Sequence, residues 1–474
     1  MSDNISEKFF NEFEPAFKKV WKDLVIKDLK NKEEYEKLNW KIEELDIEPF
    51  YTKEDLEQIK TKDFFKQGNT KNSSNWTYLE SIKTTNPRVA NKTALNALVT
   101  GADGIIFDLD DPTSHTSEII KFLLAGILPQ HCTIGFKTRY SPEKLLNHYL
   151  KCIDSSGLNI EALSGFLDYD PIAEWTLHKD GKDLNFQEIK ETLNLTTQTP
   201  QFSGLTISGE VFLNSGASAV QQIALFICVL TEYLEELSRL GIPPSSLFKN
   251  IIFKLPVGKN FFIEIAKLRA LHLFIYKLAH LYGVKEFKPS DVQIHATTAW
   301  WTKSAIEPHL NILRNTTEAM AAILGGCQSL SILPHDISQQ DPDNFSRRIS
   351  RNISNILKEE AFLNKVSNPA DGSYYLEKLT EIIIVNSWSL VQDIESKGGF
   401  IKAFKSGYIM GLVKNNYDFQ LENSVKVNDK IVGVNYFKNQ GSVITSGFNS
   451  NQSGWFEFDR LSAAVENLNN KQRI

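Results

Sequence analysis

Between residues 75 and 334 two rhythms of hydrophobic and polar positions alternate along the chain. Short runs rich in β-branched and aromatic residues, bounded by Gly, Pro, Asn or Asp, read as strands at 75–82 (NWTYLESI), 103–110 (DGIIFDLD), 132–139 (CTIGFKTR), 163–170 (LSGFLDYD), 202–209 (FSGLTISG), 250–257 (NIIFKLPV), 291–299 (DVQIHATTA) and 327–334 (CQSLSILP). Between them lie stretches of helical period. One runs from Ala217 to a stop at Gly241, a second covers 260–282 and stops at Gly283, and a third opens on Ser141–Pro142, a cap residue followed by proline at the first helical position. Eight strand and helix pairs predict an α/β fold, a (β/α)8 TIM barrel. An open doubly wound sheet competes, because spacing alone does not establish closure.

Two flanks complete the layout. Phe9, Phe13, Phe17, Val20, Trp21 and Leu24 recur at spacings of three and four, so 5–30 reads as an amphipathic helix. Residues 31–60 read as an irregular arm carrying Trp40, Phe50 and Tyr51. Beyond the barrel, 343–364 and 377–412 have helical patterns, and 413–474 turns polar and asparagine-rich, with loop character. The expected organisation is a helical amino-terminal arm at 1–60 that contacts a partner, a barrel at 61–342, and a helical extension with a truncated linker at 343–474.

Composition narrows the function classes. The 474 residues carry 52 basic and 58 acidic side chains, a net charge of −6 with signs interspersed, which gives no footprint for nucleic acid or an anionic membrane. Cys132, Cys152, Cys228 and Cys327 are too far apart for a zinc knuckle or redox dithiol, and suit a reducing compartment. The start MSDNISEKFF lacks the pattern of a signal peptide, and the longest apolar run, IALFICVL at 223–230, is too short to span a bilayer. A soluble cytoplasmic protein is the expectation.

Chemical motifs are sparse. There is no phosphate loop, no strand-borne GxGxxG, no HExxH and no GxSxG. His272 and His280 are eight apart among leucines on one helix, which suits packing rather than metal ligation, and no metal site is expected. In a barrel, binding groups sit where strands end. Those positions hold Asp108, Asp110, Arg139, Asp168, Asp170, Glu210, Thr297, Thr298, His335 and Asp336. Taken singly, each is also explained by solvation or by capping the next helix.

Local sequences go further. Segment 260–272, NFFIEIAKLRALH, resembles the NFFMEIAKxRAxR helix of the methylmalonyl-CoA mutase family, adenosylcobalamin-dependent acyl-CoA mutases. In the same order, 311–330 (NILRNTTEAMAAILGGCQSL) is similar to the family's NxxRTxxEAMAAxxGGxQSL. Segment 347–380 (RRISRNISNILKEEAFLNKVSNPADGSYYLEKLT) is similar to RIARNxxxxxxEExxxxxVxDPxGGSYYxExLT. The entry, DLKNKEEYEKLNWK at 28–41 and PFYTKEDL at 49–56, also resembles the family's leader, so the likeness covers about residues 20–440.

The family's radical chemistry implies a cobalamin domain, a hydrogen-bond donor on the thioester carbonyl, groups that hold the acyl carboxylate, and exclusion of water. Against the catalytic strand ISGYHMQEAGA this chain reads ISGEVFLNSGA at 207–217, placing Val211 at the catalytic histidine. Against RPWTIRQY it reads NWTYLES at 75–81, with Leu79, Glu80 and Ser81 at the arginine, glutamine and tyrosine. Against SGTIQND it reads SGFLDYD at 164–170, with Phe166 for threonine and Asp168 for a substrate-binding glutamine, where an aspartate would repel an acyl carboxylate. Against HCQTSGW it reads HATTAWW at 295–301, so Trp300 replaces a glycine and fills space near the corrin ring. No DxHxxG occurs, and only 37 residues follow VGVNYF at 432–437, so the cobalamin-binding domain is expected to be absent.

What matches is different in kind. Glu264, Arg269, Arg314, Glu318, Gly325–Gly326, Gln328, Arg351, Asn352, Glu359 and the Gly372–Tyr374 turn match scaffold helices and their junctions. Glu318 and Ala319 also match cobalamin-contact positions, with a structural role favoured. DPI at 170–172 resembles a small-subunit feature. The resemblance implies a small, non-catalytic subunit that binds no cofactor alone. It would form a heterodimer with a large subunit that carries adenosylcobalamin and converts methylmalonyl-CoA to succinyl-CoA. The alternative is a catalytic barrel whose cobalamin domain is a separate chain, which would require a histidine near 211.

Overall fold

In a computed structural model, the described residues are 17–59, 64, 75–178, 184–339, 341–439, 456, 460–463 and 465–466. The amino-terminal helix covers Lys18–Asp28; Phe9 and Phe13 lie outside the described residues. The arm that follows is more ordered than its sequence suggests. Its short helices, Lys32–Glu36 and Lys53–Glu57, flank an antiparallel hairpin of β1 (Trp40–Ile42) and β2 (Leu45–Ile47). Three-residue strands are too short for alternation to register, and Leu45, Ile47 and Tyr51 reach the main core only through the tertiary fold.

Nine parallel segments follow: β3 (Thr77–Lys83), β4 (Gly104–Asp108), β5 (Thr133–Lys137), β6 (Ser164–Asp168), β7 (Gln201–Ser203), β8 (Leu205–Ser208), β9 (Ile251–Val257), β10 (Ile294–Thr298) and β11 (Ser329–Ser331). They pair in the order β7-β6-β5-β4-β3-β11-β10-β9-β8. The ends of that order are one strand interrupted at Gly204, within the predicted 202–209. β7 pairs β6, β8 pairs β9, and the Thr206 amide also donates to Tyr169 O. The sheet is an eight-stranded α/β barrel of the TIM type, not an open doubly wound sheet.

Outward-facing Ile105, Phe107, Ile134, Phe136 and Leu167 pack in the main core with apolar residues of the surrounding helices. Inward-facing Leu79, Ile106 and Phe166 form a separate cluster with Ile252 packed on it. Gly165 permits this closure, because a Cβ there would meet Ile134 O at 1.9 Å. The expected helices are present at Pro142–Ser155, Ala219–Arg239 and Phe261–Leu281. Ser218 and Gln221 form a capping box on the second. Proline stands at the first turn of Pro142–Ser155, but Ser141 makes no side-chain cap.

The extension begins with Asn344–Asn355, continues as a π-helical turn at Ile356–Glu360, and then covers the barrel with Tyr374–Ser396. Gly398 and Gly399, at φ +95° and +86°, turn the chain into Phe400–Lys405, and Tyr408–Val425 follows. The loop expected from 413 onward is therefore helical to Val425. This helix buries only a narrow face, Ile409, Val413 and Ser424, while Asn416 and Gln420 donate to Gly216 O, so its apolar signal is weak. No helix among the described residues is long and apolar enough to cross a membrane.

Paired charges join the extension to the barrel. Arg351 donates to Glu80, which points outward from β3, and Arg347 lies 3.8 Å from the same carboxylate. Arg269 donates to Glu377 at 2.6 Å and to Asn368. Removing one member of such a buried pair strands the other. Glu80→Ala is expected to cost about 3–5 kcal/mol in urea unfolding; a loss below about 1 kcal/mol would show that the Arg351 contact does not hold the extension.

Candidate functional site at the barrel mouth

Strand register brings the polar strand ends together. Asp108 on β4 is level with Lys137 on β5, which is level with Asp168 on β6. On the other side Ser208, Lys254 and His295 are level on β8, β9 and β10, and His295 is level with Ser329 on β11. These positions share the inward parity of Ile106, Phe166 and Ile252 and lie one step nearer the carboxyl ends of the strands. They form a polar belt above an apolar floor.

Lys254 is the centre of the belt. Its Nζ is 2.7 Å from Asp168 and 2.8 Å from Glu210, with Lys254 and Asp168 buried and Glu210 one-third exposed. Burial opposes the ammonium charge, but Asp168 and Glu210 outweigh it and hold the pKa well above the ordinary lysine value. For Glu210, burial is the largest influence and acts upward; Lys254 outweighs it and the pKa falls. Thr297 donates to the second Glu210 oxygen at 3.2 Å. Such a lysine is charged and fully engaged, which makes it a poor nucleophile or base.

Lys137 bonds Asp108 at 3.2 Å, and Arg139 bonds Asp110 at 2.9 Å beside Glu174 and His178. His295 is completely buried: Nδ1 meets Ser329 Oγ at 2.8 Å, and its ring lies 5.4 Å from that of Phe166. Burial, aided by Lys254, pushes its pKa down to about 3, so it is neutral. Asp170 stands apart from the belt. It accepts from Tyr233 OH at 2.5 Å and from the amides of Ser208 and Ala173, and burial raises its pKa to about 6. It caps the helix Pro171–Leu177.

The structure therefore unites Asp108, Asp168, Glu210 and Thr297 of the predicted strand-end residues around two lysines. Asp110 and Arg139 form a neighbouring pair. Thr298 instead accepts the Leu333 amide, and His335 lies tilted beside His309 and edge-on to Phe345 in the loop after β11, next to Asp336. Lys254 and Lys137 are the site residues the sequence reading missed. Asp168 does not present a bare charge to the barrel, as expected from its side chain alone, because Lys254 neutralises it.

Val211 is buried in the helix Glu210–Asn214 and packs in the main core, with no polar atom to offer a ligand. Glu318 and Ala319 are also enclosed. One Glu318 oxygen accepts from Lys303 at 2.7 Å and from the Ala299 amide; the other accepts from Thr302 at 2.5 Å. Burial raises the Glu318 pKa against these partners and lowers that of Lys303. The Glu318 contacts hold the loop after β10. His272 and His280 bond the carbonyls of Gly326 and Phe287 as packing groups, and no metal-ligand cluster occurs among the described residues.

Lys254→Met is expected to leave Asp168 and Glu210 unmatched and to cost about 3–5 kcal/mol. Adding Asp168→Leu and Glu210→Gln should recover most of that loss in urea unfolding. A single variant within about 1 kcal/mol of the parent would mean that the three groups are not coupled.

Comparison with known proteins bears on the identity of this barrel. Residues 115–452 match the family model described as methylmalonyl-CoA mutase. The methylmalonyl-CoA mutase small subunit of Porphyromonas gingivalis is 30% identical over 91% of this chain and 71% of its own length. The small subunit from Propionibacterium freudenreichii subsp. shermanii is 28% identical over 67% of the chain and 50% of its length. The large subunit of Porphyromonas gingivalis is 29% identical over 61% and 41%. The chain thus spans roughly half the length of most of the curated relatives it matches. With the eight-stranded barrel that the sequence predicts and a family model matching well over half its length, this chain belongs to the methylmalonyl-CoA mutase family.

Proposed function

We propose that this chain is a small, non-catalytic subunit of a methylmalonyl-CoA mutase. It would stabilise and orient a large subunit that carries adenosylcobalamin and interconverts methylmalonyl-CoA and succinyl-CoA in the cytoplasm. The observation that carries the reading is the closure of the barrel mouth by matched charge. Lys254, Asp168 and Glu210 satisfy one another, and Val211 offers no donor where the family has its histidine. Lys254 is charged and engaged by two carboxylates, and Val211 has no hydrogen to donate to a thioester.

A supporting chain needs a surface for its partner, and the amino-terminal arm supplies one. Trp40, Phe50, Phe262 and Tyr374 are each 41–54% exposed and, with Tyr51, line a groove of about 560 Å³. Phe17, Val20 and Leu24 form an exposed stripe on the amino-terminal helix, while Trp21 packs on Phe50. Exposed apolar area of this extent suits a protein interface, and aromatic anchors contribute most to such contacts. The proposed occupant is the large subunit, since relatives of both subunit names occur in Porphyromonas gingivalis.

The test is to purify the chain alone and together with a large subunit, then to assay the mutase. The isolated chain should be inactive and the pair should co-purify with activity. Turnover by the isolated chain, or by the chain with a separate cobalamin-binding protein, would overturn the reading and favour a catalytic barrel. Trp40→Ser with Phe262→Ser should weaken co-purification at least about tenfold while leaving the melting temperature of the isolated chain nearly unchanged. Undiminished binding would move the interface elsewhere.

A further inference from the structure

Phe456, Arg460–Ala463, Val465 and Glu466 fall in the stretch that the sequence pattern reads as a polar tail, yet they pack on the barrel. Every described residue of this segment, Phe456, Arg460, Leu461, Ser462, Ala463, Val465 and Glu466, is at most 7% exposed. Phe456 packs edge-on against Phe212 and Phe404. Leu461 and Val465 join Leu213, Ala299, Trp301, Ile431 and Val434 in one apolar cluster.

Its polar contacts concentrate on the loop after β10. The Leu461 amide donates to Trp301 O at 3.0 Å, and Ser462 Oγ donates to Lys303 O at 2.7 Å. Glu466 accepts from Ser304 Oγ at 3.0 Å and from the Ala305 amide at 2.9 Å, and pairs with Arg460 at 2.9 Å. Arg460 in turn donates to Lys303 O, and its guanidinium lies 5.9 Å from the Trp300 ring centroid. The inner side of this loop closes on Glu318 through Ala299, Thr302 and Lys303. The segment and Glu318 thus both hold the loop, through different atoms.

We propose that this face is a peptide-binding site occupied by the chain's own Phe456, Arg460–Ala463, Val465 and Glu466, which hold the loop 299–305 in its closed form. Recognition has a part directed at the loop's carbonyls, the Leu461 amide on Trp301 O and the Ser462 hydroxyl on Lys303 O, and a charge-assisted part, the Glu466 carboxylate that takes Ser304 Oγ, the Ala305 amide and Arg460. An exposed or solvent-filled mouth would leave the Leu213–Trp301 cluster uncovered and the Ser304 and Ala305 donors to water. Trp300, at a glycine position of the family, gives the Arg460 guanidinium an aromatic face. The proposal deepens the non-catalytic reading without resting on the identity of the partner, because co-purification with a large subunit is read separately.

Two measurements test it. In the full-length chain, Leu461→Asp and, separately, Glu466→Gln are compared with the parent by amide hydrogen exchange. Exchange at Trp301–Ala305 should rise at least about tenfold, with the barrel strands β4–β6 unchanged. In the second, a chain ending at Asn439 is titrated with a labelled synthetic peptide of residues 454–470. Saturable binding is expected, weakened at least about tenfold by Arg460→Ala with Glu466→Gln in the peptide. Unaltered loop exchange in both full-length variants overturns the proposal even where the shortened chain does not fold. A folded shortened chain that ignores the peptide does so as well.

Discussion

An ammonium group taken into the interior of a barrel costs several kcal/mol unless negative charge meets it within hydrogen-bonding distance. Lys254 meets that condition twice, at Asp168 and Glu210, and the two contacts fix which side chains fill the upper half of the barrel. They come from three different strands or strand ends, so the match exists only when the sheet has closed in its present register. A one-residue slip of β6 or β9 would turn one partner outward and leave the others bare. The belt therefore specifies the fold as well as occupying the space a ligand would need.

The same arrangement explains why the family's motifs divide as they do. Arg269 meets Glu377, Arg351 meets Glu80, and Gln328 receives the Ile294 amide. Each of these joins one motif to another element across the molecule, a task independent of any cofactor. Of the positions that depart from the family, Asp168 and Glu210 converge at the mouth, while Val211 packs in the core and Glu80 pairs with Arg351 outside the barrel. Their replacements suit one another: an apolar residue goes to the core, and two acids share a lysine.

Much of the architecture was legible because closure of the barrel needs regular alternation, and the eight strand patterns with their glycine stops carry it. Capping residues such as Ser218 are local, so they could be read locally. What escaped depended on distance along the chain or on short elements. Lys254 sits in NIIFKLPV, where a lysine reads as an outward position, and its partner Asp168 is 86 residues away. Glu80 and Arg351 are 271 residues apart. The hairpin β1–β2 and the helical residues Leu461–Ala463 are too brief for a period, and the burial of Arg460 and Glu466 goes with their pairing.

The protonation state of Lys254 tests the account most directly. With ¹⁵N-lysine NMR on the intact chain, the Nζ resonance of Lys254, assigned by its loss in Lys254→Arg, should remain that of a slowly exchanging ammonium up to about pH 10 and beyond. An amine that titrates below about pH 9, or that exchanges with water as fast as surface lysines, would show that Asp168 and Glu210 do not hold the charge and that the barrel mouth is open.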